Sequence, residues 1–244
     1  MPSSSETGHA KNVANFENLF AFVTGYGTQY NPSRESLKLP ALQTKVANAR
    51  TALSNCKTKE TAFDNATDTR RDAFAGIKAL GTRLVNALKV SGVPDSVVEG
   101  AQTINRKLQG QRASAAQDAT YATITDGSQS PQPVSILASR QSYENIAEHI
   151  NALVELLSSH PQYNPNEKEL KITALQLVHQ NLKATTSAIF AADTEWSNGR
   201  IFRDSILYAE NTGILDTAAD VKILYKISIR LFKPPICPGK GPGV

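Results

Sequence analysis

Apolar side chains recur along this chain at helical spacing, and over two long stretches they do so without interruption. Leu42, Val46, Ala49, Leu53, Cys56, Glu60, Phe63, Thr67, Arg70, Phe74, Ile77, Gly81, Leu84 and Leu88 alternate steps of four and three residues. A mean period of 3.5 is the seam of coiled-coil-like packing. Leu175, Leu182, Ile189, Trp196, Arg203 and Leu207 continue the same pattern later in the chain. No proline interrupts 41–93 or 166–233. The pattern therefore predicts helices of roughly 30 to 45 residues, kinked near Gly76 or Gly199.

Each long stretch is preceded by a shorter amphipathic one. Val13, Phe16, Leu19, Phe20 and Val23 share one helical face, as do Ile146, Ile150, Leu153, Leu156 and Leu157. Gly25 and Gly27 end the first of these, and Ser158 to Pro161 end the second. Then comes Tyr-Asn-Pro. Asn31 and Asn164 suit a helix N-cap, whose side-chain oxygen accepts an orphan backbone N–H, and Pro32 and Pro165 suit the first helical position. Pro40 disfavours a helical Leu39, so the first helix is expected to restart there. Pro94 and Asp95 open a further helix at 94–112, and Gly213 precedes a last one from about 214.

The two halves match because they are copies. Sliding the chain against itself by 133 residues aligns QYNPSRESLKLPALQ with QYNPNEKELKITALQ without a gap. Arg70 then pairs with Arg203, Asn65 with Asn198, and Tyr30-Asn31-Pro32 with Tyr163-Asn164-Pro165. The expected fold is all-α: duplicated long antiparallel helical hairpins forming an elongated bundle with coiled-coil-like seams. Its parts are a flexible start at 1–10, module 1 at 11–112, a linker at 113–138, module 2 at 139–222 and a basic tail at 223–244. The linker is rich in Ala, Thr, Ser, Gln and Pro.

Composition adds little until the charge is located. The formal +4 and pI near 9.0 suggest an anionic partner, but Lys226, Arg230, Lys233 and Lys240 fall in a tail with no acid. The remainder is neutral, which weakens a nucleic-acid or membrane-surface role to one carried by the tail alone. MPSSSETGHAK lacks the apolar region of a secretory signal, and no stretch approaches the roughly 20 apolar residues of a membrane span. A soluble cytoplasmic protein is expected. Cys56 and Cys237 make no disulfide framework.

Candidate chemistry is sparse. His9, His149, His160 and His179 have no metal-ligand spacing, no glycine-rich loop follows a strand, and no cofactor is implied. Arg70 and Arg203 replace apolar residues at equivalent seam positions. They are read either as an anion or small-molecule site within the bundle or as an internal pair with Asp64, Asp68 or Asp204. Asn65 and Asn198 are read as polar core groups that fix register. Tyr30 and Tyr163 are read as stacking platforms or as rings packed over a helix end with the hydroxyl in solvent. The leading expectation is a non-enzymatic scaffold that binds a protein partner or itself. A ligand-binding bundle using the paired arginines is the first alternative, and tail-mediated membrane or nucleic-acid binding the second.

The segment FAFVTGYGTQYNPSRESLKLPAL, with TINRKLQG, SYENIAEHINALVELL and YNPNEKELKITALQ, resembles a family of uncharacterised bacterial all-helical proteins over about residues 10–222. The resemblance implies the helical, duplicated fold and no activity. It also implies a different ending. Codons chosen for Ile223 to Val244 and read one nucleotide later spell SYIKSVFGYSSPQSAQVKGLEF, which is similar to the family's last segment. A single-nucleotide frameshift after Lys222 is therefore the expectation for the atypical tail.

Overall fold

The computed structural model describes residues 4–111 and 141–231, with side chains from 8 to 111 and from 141 to 226. Among these residues all regular structure is helical. In order come α1 (Ser4–Gly25), α2 (Leu39–Phe74), α3 (Ile77–Lys89), α4 (Asp95–Gln109), α5 (Tyr143–Ser158), α6 (Ile172–Tyr208) and α7 (Ile214–Leu231). Short 3₁₀ turns, Glu35–Leu37 and Lys168–Leu170, precede α2 and α6. Both the turns and the starts of the two long helices recur at the 133-residue offset.

The seam spacing governs burial as well as helix length. From Leu42 to Leu88 every position of the four-three pattern is buried or half-buried. The two long helices run 36 and 37 residues. Gly76 ends helical pairing between α2 and α3, whereas Gly199 leaves α6 unbroken. A Cβ on Gly199 would stand 3.0 Å from Lys59 Cδ and 3.6 Å from Cys56 Cα, so the missing side chain lets α2 approach closely. Gly213 serves the tight reversal into α7, since a Cβ there would meet backbone atoms of Leu207 and Ala209 at 2.8 Å.

The chain divides into two compact units. Unit 1 takes Met1–Ala62 and Asp193–Val244, and unit 2 takes Phe63–Ala192. Each has its own apolar core. In unit 1, Val13, Phe16 and Val23 of α1 pack with Leu42, Val46 and Ala49 of α2, Leu207 of α6, and Ile214 and Val221 of α7. In unit 2, Phe74, Leu84 and Leu88 pack with Ala101 and Leu108 of α4, Ile150, Leu153 and Leu157 of α5, and Leu175 and Leu182 of α6. Partition by contact thus differs from partition by sequence repeat. Each unit receives the opening helix and half of the long helix from one copy, and the other half of the long helix from the other copy.

Helix α7 continues to Leu231, with no proline or glycine to interrupt it before Pro234. Residues 232–244, with Cys237, and all of the 113–138 linker lie outside the described residues. Asn31 and Asn164 do not cap the long helices, which begin eight residues later. No described helix is long and apolar enough to cross a membrane.

Helix α3 meets α4 across Gly81, where a Cβ would lie 2.4 Å from Leu108 Cδ2 and 2.7 Å from Asn105 Oδ1. Leu108 is fully buried and has nowhere to retreat. Gly81→Ala should cost about 1–3 kcal/mol in urea unfolding. Gly100→Ala, whose Cβ would meet Leu156 Cδ1 at an ordinary 3.6 Å, should be neutral or stabilising through helix propensity.

Candidate functional site

The Tyr-Asn-Pro motif builds an arch rather than a cap. The Tyr30 hydroxyl donates to the carbonyl of Leu37 at 2.8 Å, and Tyr163 donates to that of Leu170 at 2.9 Å. Leu37 and Leu170 are both buried core residues. Their carbonyls go into the core with them, and the phenol satisfies each one across seven residues of chain. The intervening segment bends, makes one 3₁₀ turn, and only then enters the long helix. The hydroxyls therefore face backbone, and this corrects the expectation that they reach solvent. Pro32 is buried and Pro165 half-buried inside the arches, while Asn31 and Asn164 are exposed.

Burial pushes the Tyr163 phenol up to about 12, with the Glu167 charge adding to the effect, and raises that of Tyr30 as well. The fold therefore favours the neutral phenol. This contribution to stability is complete below pH 10, the ordinary tyrosine range, and is lost as the pH rises toward about 12. Tyr163→Phe should cost about 1 kcal/mol at neutral pH for the lost hydrogen bond. It should also flatten the alkaline limb of a stability profile measured by urea unfolding.

Asn65 and Asn198 are exposed, not core groups, and this corrects the register reading. Each lies two residues after a seam position, which places it about 200° around the helix. The backbone carbonyl of Asn65 accepts from Thr69 Oγ1 at 2.8 Å.

The two seam arginines solve the same problem differently. In unit 2, the Arg70 guanidinium lies over the ring of Tyr143, 4.2 Å from its centroid. Phe74, one turn further along, meets that ring edge-on at 4.8 Å and 79°. Arg70 Nε makes no hydrogen bond among the described residues, so the stacked ring is its main compensation. Asp68, offered by the sequence as a partner, pairs with Arg71 at 3.0 Å.

In unit 1, Arg203 is 7% exposed. Nε and Nη2 donate to Asp204 Oδ1 at 3.0 and 2.9 Å, and Nη1 reaches Cys56 Sγ at 3.6 Å. Asp204 is half-exposed and keeps its solvent, so the pair does not strand a carboxylate. Arg203 also lines a cavity of about 170 Å³ with His9, Ala10, Leu53, Cys56 and Lys57. The nearby Tyr208 hydroxyl lies 2.5 Å from His9 Nδ1 and accepts from Asn12 Nδ2 at 3.2 Å.

Sequence reasoning found both arginines and missed what surrounds them. Tyr143 and Ala10 were legible only by carrying the repeat offset outward, which aligns them with each other. Among the described residues no group of three or more His, Cys, Asp or Glu could hold a metal ion.

Arg203→Leu retains volume and leaves Asp204 hydrated, so its stability should stay within about 1 kcal/mol of the parent. Arg203→Ala deletes the packed stem as well and should cost more than 1 kcal/mol. Urea unfolding of the pair checks this. A large loss in the leucine variant would mean that the charge, not the packing, holds the position.

No family model, curated protein or solved structure matches the chain.

Proposed function

We propose that this chain is a non-enzymatic helical scaffold that self-associates, built from a duplicated long hairpin with coiled-coil-like seams. The family it resembles in sequence is proposed to share that architecture. Burial along the four-three positions supports the seam reading, since side chains at a 3.5 period are the ones a packed neighbour covers. Recurrence of the Tyr arches and of the long-helix starts at one offset supports the duplication.

The observation that carries the scaffold reading is an apolar face left open on the second half of α6. Ile201 is 66% exposed, Phe202 52% and Tyr208 40%. Ile201 and Tyr208 are one heptad apart and share a stripe, with Phe202 beside it. Covering Ile201 and Phe202 on a second copy of the chain contributes about 1.5–3 kcal/mol for each side chain fully buried. A heptad-spaced apolar stripe is the form in which a helix of another copy is bound.

Sedimentation or light scattering on the full chain should show a dimer at micromolar concentration. Ile201→Glu combined with Phe202→Glu should weaken it at least about tenfold, the equivalent of 1.4 kcal/mol, with an unchanged helical circular dichroism spectrum. A parent chain that stays monomeric at high concentration would sink the proposal.

A further inference from the structure

The offset that relates Arg70 to Arg203 also relates Phe74 to Leu207 and Tyr143 to Ala10. Around Arg70 two aromatic rings complete the packing. Around Arg203 the same two positions carry an isobutyl group and a methyl group. Both rings are absent there, and the one lost from over the guanidinium is that of Tyr143. Where that ring is missing, unit 1 has the cavity of about 170 Å³, and Ala10 is one of its walls.

The size and chemistry of the cavity both match what is missing. An apolar cavity of about 150 Å³ suffices to hold benzene, so this one admits a single ring with a small substituent. Ala10, Leu53 and Cys56 give it apolar walls. Arg203 commits three of its five N–H donors to Asp204 and Cys56. The guanidinium keeps its face, the surface that Arg70 presents to Tyr143, and two further N–H groups suited to an acidic substituent. A buried guanidinium face attracts a π-system more strongly than an exposed one, because less water competes. His9, whose Nδ1 meets the Tyr208 hydroxyl, and Lys57, paired with Glu60 at 2.8 Å, complete the lining.

We infer that the Arg203 cavity binds a small monocyclic aromatic acid, whose ring occupies the place over Arg203 that Tyr143 occupies over Arg70. The site does not rest on the self-association proposed for α6, although Tyr208 of that face bonds to His9 at the cavity. It is also specific to unit 1, because in unit 2 the chain fills the equivalent place with its own side chain.

The test is a calorimetric and saturation-transfer NMR titration of the full chain with 4-hydroxybenzoate, with cyclohexanecarboxylate as the non-aromatic control. The expected result is one saturable site per chain, with the control at least about fivefold weaker, as loss of a cation–π contact predicts. Ala10→Tyr supplies the ring within the chain and should abolish binding while raising the thermal midpoint. Arg203→Leu, which keeps the volume, should abolish binding with the fold intact by circular dichroism. Arg70→Leu should leave binding unchanged. Absence of saturable binding, equal affinity for the two acids, or binding that persists in a folded Arg203→Leu chain would each overturn the assignment.

Discussion

The rest of this structure depends on the burial of an unbroken 3.5-residue period along helices that are longer than one core requires. Once Leu42 through Leu88 must all be covered, no single cluster of neighbours is enough. The first part of α2 is covered in unit 1 by α1, α7 and the end of α6, and its last turns belong to the core of unit 2. Helix α6 does the reverse. Spatial units therefore draw on both sequence copies, and neither copy supplies a complete core alone. Each core is lined by residues from both halves of the chain.

This explains which features were legible in the sequence. Helix class, the long-helix lengths, the break at Gly76, the opening of α4 at Asp95 and the start of α7 at Ile214 all follow from local patterns, because periodicity and proline act within one turn of themselves. The composition of the units does not. It depends on which face of a seam meets which distant helix, and a heptad carries no address for its partner. The Tyr-Asn-Pro motif was misread for a related reason. Local rules favour Asn as a cap, but the buried carbonyls of Leu37 and Leu170 needed a donor, and the phenol seven residues earlier is the one within reach. A long-range demand outweighed a local preference.

The seam arginines show the same limit. Their positions are visible as breaks in an apolar pattern, yet the compensation each found is not. Arg70 is stabilised by a ring on another helix, and Arg203 by the next residue and a thiol. Both are ways to keep a guanidinium in a packed interior without full desolvation. The aspartates that sequence offered to Arg70 lay on its own helix. Asp68 went to Arg71, which shares its exposed face.

The 133-residue offset also sets the two sites in contrast, because it places the two seam arginines at equivalent positions whose surroundings compare residue by residue. The pair Tyr143 and Ala10 is the clearest difference, since it exchanges a ring for a methyl at one position of the repeat. A packed core tolerates the loss of a ring poorly when the void stays empty, for the lining atoms forfeit their dispersion contacts. Beside a buried cation the loss also removes a π-partner from the guanidinium. The unit has partly offset this by giving Arg203 an ion pair and a thiol contact that Arg70 lacks. What those in-plane contacts cannot replace is the contact over the guanidinium face, and that is the one interaction a bound ring would restore.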